Sequence, residues 1–211
     1  MSLNNNGNNI NYALELGSNA FINNITENHL IGLVYSYCIA KLISSKSRDP
    51  RLKVGSTIFL DNGKVFNSNF NSCPDKSNIS DLVFSKDENN VTHPALLHSE
   101  LKTLLNFHKS TSLISCGDLT SLKAMVITHS PCLKCASAIF EFGIGIVYYT
   151  GIHDNNEGIN FLVENGIDVR CYTKHKPLFD EIFNNFSNSI LNNTFHDFEI
   201  DVLYRFQNFK I

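Results

Sequence analysis

Asp61-Asn62-Gly63 separates two short apolar runs, Val54–Leu60 and Val65–Phe70. An Asn-Gly pair in that position favours a tight hairpin turn, because both residues tolerate positive φ. The hairpin makes the first two strands antiparallel. Downstream, strand-like and helix-like segments alternate. Leu96, Leu97, Leu101, Leu104, Leu105 and His108 recur at helical spacing and predict a helix over about 95–109. Lys123–Thr128 reads as a buried strand. Pro131 then falls at the first turn of a helix over 132–142, with Gly143 near its end. Ile144–Thr150 is a strand, Asn156–Asn165 a helix stopped by Gly166, and Ile167–Tyr172 a last strand. Strands joined through helices run parallel. Ahead of the hairpin, Leu30, Leu33, Val34, Tyr37 and Cys38 mark an amphipathic helix over 29–45, and Asp49-Pro50 ends that segment. This order predicts an α/β fold with helices on both faces of a mixed sheet.

The length of 211 residues suits one domain with additions. Residues 1–28 open with an Asn-rich stretch and read as a flexible lead-in. Residues 29–175 form the main domain, and 176–211 a C-terminal helical and aromatic extension. There Leu178, Ile182 and Phe186 predict a helix. Phe195, Phe198 and Phe206 suit packing on the sheet or on another subunit. With 43% hydrophobic and 18% charged residues, the chain has a globular balance. A net charge of −3 argues against a protein that holds polyanions, so a nucleic-acid partner is not expected. It leaves room for a small anionic substrate. The apolar stretch Leu30–Leu42 is too short to span a membrane, and residues 1–20 lack a signal-peptide pattern. The expected compartment is the cytoplasm. Cysteines stay reduced there, so the six present read as metal ligands or core residues.

Two pieces carry chemistry: His98-Ser99-Glu100 and Pro131-Cys132-Leu133-Lys134-Cys135. Cys132 and Cys135, three apart at a helix start, turn their sulfurs the same way. The positive end of the helix favours thiolates, the metal-binding form. With His98 they make three zinc ligands and leave a fourth position open, the pattern of a catalytic site. Glu100 falls beside the metal without ligating it and can carry a proton. Read alone, the Cys pair fits a redox motif or half of a structural zinc site, and the combination is far more specific. Cys38, Cys116 and Cys171 read as core or loop residues. Cys73 with His93 is the remaining pair that could hold a second metal.

These residues carry a resemblance to the cytidine and deoxycytidylate deaminase superfamily, and within it to the deoxycytidylate (dCMP) deaminase branch. His-x-Glu followed by Pro-Cys-x-x-Cys is the signature of zinc nucleobase deaminases. Arg48-Asp49-Pro50 with Val54-Gly55-Ser56, Asn69–Pro74, and Ser130–Ala136 resemble further segments of the branch, over about residues 30–172. The resemblance implies a three-layer α/β/α sandwich around a five-stranded mixed sheet. It implies zinc on His98, Cys132 and Cys135, with Glu100 moving a proton from water to N3 and the departing amino group. Asn71 would bind the sugar, and the backbone around Ser99, Pro131 and Cys132 the base. Tyr149 or His153 would lie over the base. Lys109, Lys102 and Lys53 are candidates for a 5′-phosphate by location. The resulting expectation is a homo-oligomeric zinc enzyme that converts dCMP to dUMP and ammonia for thymidylate supply. Deamination of a tRNA adenosine, cytidine, cytosine or guanine is the alternative, as is an idle zinc-containing binding protein. Ser99 stands where the family has alanine, and Asn69 and Ser72 replace two glycines.

Overall fold

The computed structural model describes residues 26–73, 93, 95–110, 121–153 and 155–208. Among the described residues, six helices flank a five-stranded sheet: α1 (Glu27–Ser44), β1 (Gly55–Leu60), β2 (Val65–Phe70), α2 (Ser99–Ser110), β3 (Lys123–Ile127), α3 (Leu133–Glu141), β4 (Ile146–Tyr149), α4 (Glu157–Glu164), β5 (Asp168–Cys171), α5 (Lys176–Asn192) and α6 (Phe195–Asn208). The strand order is β2-β1-β3-β4-β5. β1 pairs antiparallel with both β2 and β3, whereas β3, β4 and β5 run parallel. The hairpin turn closes through Gly63 N–H to the Leu60 carbonyl at 2.8 Å.

Alternation along the strands builds two cores. Phe59, Ala124, Val126, Ile146 and Tyr148 face one side, where Leu33, Val34 and Tyr37 of α1 meet Phe179, Ile182 and Phe186 of α5. Ile58, Met125, Ile127, Val147 and Tyr149 face the other, against Leu104 of α2, Ile139 of α3 and Leu162 of α4. Both faces are covered, so β3 and β4 are almost continuously apolar rather than alternating. Phe198 and Val202 of α6 join the first core, so the aromatic C-terminal segment closes this chain's own core. Phe195 stays 39% exposed, and the side chain of Phe206 lies outside the described residues.

Helix starts depart from the sequence expectation where a cap or a long-range bridge intervenes. α1 begins at Glu27, because the Thr26 hydroxyl caps it by accepting from His29 N at 3.1 Å. The stretch expected as a lead-in therefore gives up its last residues to the helix, and its residues 1–25 lie outside the described ones. α2 begins at Ser99 rather than 95. Leu97 spends both backbone groups on a two-bond bridge with Ser72 (3.0 Å each), so the chain is extended there and turns helical only after His98. Pro131 lies outside α3, and Cys132, in extended conformation, is its N-cap. The excursion read as a loop, 75–92, and Cys116 fall outside the described residues. No helix of the described residues is long and apolar enough to cross a membrane.

Candidate active site

The candidate metal ligands are carried on two neighbouring helix starts. His98 immediately precedes α2, and Cys132 and Cys135 occupy the cap and first turn of α3. His98 Nδ1 lies 3.5 Å from Cys132 Sγ and 3.4 Å from Cys135 Sγ. A tetrahedral zinc with bonds of about 2.3 Å to sulfur and 2.05 Å to nitrogen puts those atoms roughly 3.6 Å apart. The donor set therefore fits zinc in kind and in spacing. Among the described residues, no other group of three or more His, Cys, Asp or Glu converges this way, and Cys73 and His93 do not join one. Cys38 is fully buried in the core, where burial pushes its thiol up to about 12.

Charge is held tightly at this point. A hydrogen bond from Cys135 brings Cys132 down to about 3, and the same bond pushes the Cys135 thiol up. Hydrogen bonding to Cys132 raises His98. Glu100, two residues after His98 in the first turn of α2, is 3% exposed, and burial raises its carboxyl above the ordinary range. The Ser99 hydroxyl donates to Glu100 Oε2 at 2.9 Å.

These groups open into one cavity of about 220 Å³. His98, Ser99, Glu100 and Cys132 line it from the helix starts, with His129 and Ser130 from the β3–α3 loop and His153 after β4. Leu96, Asp49, Arg51, Leu52, Val54 and Asn71 complete the wall. Ser130 Oγ accepts from His153 N at 2.7 Å, which ties the two loops together. The Asn71 side chain is engaged with the wall itself: Oδ1 accepts from Val54 N and Nδ2 donates to the Leu52 carbonyl, each at 2.9 Å. It holds the α1–β1 segment in place, with a second lone pair left on Oδ1.

Several sequence candidates lie elsewhere. Tyr149 is 6% exposed, packs in the second core and does not line the cavity. Lys109 sits in the last turn of α2, about 15 Å along the helix from Ser99. Lys53 is exposed and does not line the cavity. Lys102 donates to Ser72 Oγ at 2.8 Å with its ammonium over the Phe70 ring. Pro131 does not line the cavity, and its carbonyl packs against α4. Sequence reasoning missed Arg51 and His129. Their signal was adjacency, since Arg51 follows Asp49-Pro50 and His129 directly precedes Ser130-Pro131-Cys132.

Residues 34–151 match the family described as the cytidine and deoxycytidylate deaminase zinc-binding region. The chain belongs to that family. It is 33% identical over 110 residues to an uncharacterized deaminase in the luxG 3′ region of Aliivibrio fischeri, and 27% identical over 114 residues to a probable deoxycytidylate deaminase of Caenorhabditis elegans. Those matches cover 52% and 53% of this chain, and only 66% and 53% of the respective relatives. The solved dCMP deaminase of cyanophage S-TIM5, in complex with dCMP and dUMP, aligns with a TM-score of 0.54 at 28% identity. The alignment covers 64% of this chain and 92% of the phage chain. Its apo form aligns at 0.51 over 65% and 94%. The five-stranded mixed sheet flanked by helices is the fold these relatives share.

Proposed function

We propose that this chain is a zinc-dependent hydrolytic deaminase of a cytosine nucleotide, converting dCMP to dUMP and ammonia. One observation carries the reading: a His/Cys/Cys triad with zinc-like spacing stands at a cavity that His98, Cys132 and the buried Glu100 line together. The similarity to a phage enzyme captured with dCMP and dUMP supports the choice of substrate.

His98, Cys132 and Cys135 would hold the zinc and leave one position open. When bound, zinc supplies a Lewis acid that brings the pKa of water from about 15.7 to roughly 7. Glu100 moves the protons. It takes one proton from water and passes it to N3 of the base, then takes the second from the new C4 hydroxyl and passes it to the departing amino group. The reaction breaks the C4–N bond of the amidine, adds the oxygen of water at C4 and releases ammonia. Ser99 orients Glu100 by donating to Oε2. Asn71 fixes the cavity wall and offers its remaining lone pair to a sugar hydroxyl. Of the two rings considered for the base, His153 lines the cavity and is the one assigned. The product would feed thymidylate synthesis. Assembly belongs to the same reading: Leu133, Phe140 and Val163 leave exposed apolar surface on α3 and α4, and a mass in solution of several times 23.7 kDa is expected.

The test is ammonia release by the zinc-loaded full chain from dCMP, CMP, deoxycytidine, cytosine, guanine and dCTP, with Glu100→Gln as the blank. Turnover of dCMP above all others supports the reading. Preference for a free base or nucleoside moves the same chemistry to the alternative substrates. No turnover with one zinc per chain refutes it in favour of a tRNA substrate or an idle binding protein.

A further inference from the structure

We propose that Arg51 is a specificity-determining residue that holds the anionic end of the substrate, so that the cavity selects a phosphorylated nucleoside over the free one. This deepens the deaminase reading above and rests on it. Among the described residues lining the cavity, Arg51 is the one lysine or arginine. The lysines picked out in the sequence are absent from that lining, and Lys102 is already engaged with Ser72. Among the described residues, an anion entering this cavity therefore meets the positive charge of Arg51.

That charge is held in one orientation. Arg51 Nε and Nη2 each lie 3.2 Å from the carboxylate of Asp49, and Asp49 Oδ1 also accepts from Arg51 N at 2.9 Å. Asp49 is 4% exposed and is fixed in turn by Ser47 Oγ, which accepts from its backbone N–H, and by Asn71 Nδ2 at 3.4 Å. The two atoms turned to Asp49 occupy one edge of the planar guanidinium. Nη1 makes no hydrogen bond among the described residues, and the side chain is about one-third exposed. An arginine held rigid by a buried carboxylate, with a free nitrogen at the open edge of a cavity, is prepared for charge-assisted bonding to phosphate oxygens.

His153 also lines the wall, and its Nδ1 is buried with no partner among the described residues. One arginine, shared with Asp49, matches a single phosphate better than a triphosphate. Asp49 acts through Arg51 and is a positioning residue.

The experiment compares wild type, Arg51→Gln, Arg51→Lys and Asp49→Asn as zinc-loaded full chains. Steady-state kinetics give the ratio of kcat/KM for dCMP to that for deoxycytidine. Calorimetry gives the ratio of affinities for dUMP and deoxyuridine, without any need for turnover. Arg51→Gln should lower both ratios by roughly 10–100-fold, the scale of one charge-assisted hydrogen bond, mainly through KM. Arg51→Lys should recover part of the loss, and Asp49→Asn should fall between. An unchanged ratio in Arg51→Gln, or a wild-type ratio near one, overturns the proposal while the deaminase reading stands. If wild type deaminates neither compound, the deaminase reading fails, and the calorimetric ratio still decides the role of Arg51.

Discussion

Gly158, the second residue of α4, controls the position of the metal ligands from outside the cavity. A Cβ on Gly158 would lie 2.1 Å from the Pro131 carbonyl oxygen and 2.8 Å from the Cys132 carbonyl carbon, falling 1.3 Å short of the 3.4 Å at which ordinary contact with that oxygen begins. Both neighbours are backbone, so no side-chain rotation relieves the clash in Gly158→Ala. Either α4 moves out or the turn that presents Cys132 moves in. That turn sets Cys132 Sγ 3.5 Å from His98 Nδ1, and a displacement approaching 1 Å takes the sulfur off the zinc tetrahedron. Overpacking of this kind costs about 1–3 kcal/mol, or about 2–4 °C of melting temperature for each kcal/mol in a chain of this size. Disturbing the support of a metal ligand typically weakens metal binding 10–100-fold. The assay is zinc competition against a chromophoric chelator, with cobalt substitution to read thiolate coordination. Gly143→Ala is the control. Gly143 has φ +67 and nothing within 4 Å of its ideal Cβ, so alanine there meets only left-handed backbone strain of about 1–2 kcal/mol. Gly158→Ala should lose zinc affinity and shift the cobalt spectrum, whereas Gly143→Ala should lose stability alone. Wild-type zinc affinity and cobalt spectrum in Gly158→Ala would refute the argument.

Glu100→Gln should keep one zinc per chain and lose at least about 100-fold in turnover, the scale of general acid–base catalysis, measured by metal analysis beside ammonia release. Cys132→Ala should lose both zinc and turnover in the same pair of assays. Phe198→Ala should destabilise the chain by about 3–5 kcal/mol in urea without changing its mass in solution, because Phe198 fills the protein's own core. His29 is fully buried: Nδ1 donates to Asp61 at 2.6 Å and Nε2 accepts from the Tyr148 hydroxyl at 2.7 Å. Burial lowers its pKa, so the unfolded chain binds the proton first as pH falls below about 6.5. Stability contributed by neutral His29 is thus present above that pH and lost as pH drops from 7 toward 5. Denaturant titrations of the zinc-loaded protein should show that slope, and His29→Gln should flatten it by up to about one proton.

Strand and helix identity was legible wherever local pattern and tertiary burial agreed. The Asp61-Asn62-Gly63 turn and the apolar runs of β3 and β4 stated their own roles, because a two-sided core demands continuous apolar strands. The grouping of His98, Cys132 and Cys135 beside Glu100 was legible because their spacing is local and their chemistry specific. Helix starts were misplaced where a long-range bond decided them: nothing near Leu97 in sequence announces its bridge to Ser72. The same blindness affected the substrate end of the site. Lys109 lies on α2 but at the end away from Ser99, and Tyr149 lies on β4 but is buried in the second core. Arg51 went unnoticed because its significance comes from Asp49, Asn71 and a cavity assembled by five separate segments.

The Ser72–Leu97 bridge fastens the two ends of the segment 73–96 together directly before His98. Once such a segment is pinned at its base, doubling its length adds only about 0.6 kcal/mol of closure entropy. Changes in the length of the segment between Cys73 and Ala95 can therefore leave the position of His98 almost unaffected. A lineage built on this scaffold is free to revise that segment while inheriting the arrangement of His98, Cys132 and Cys135 intact.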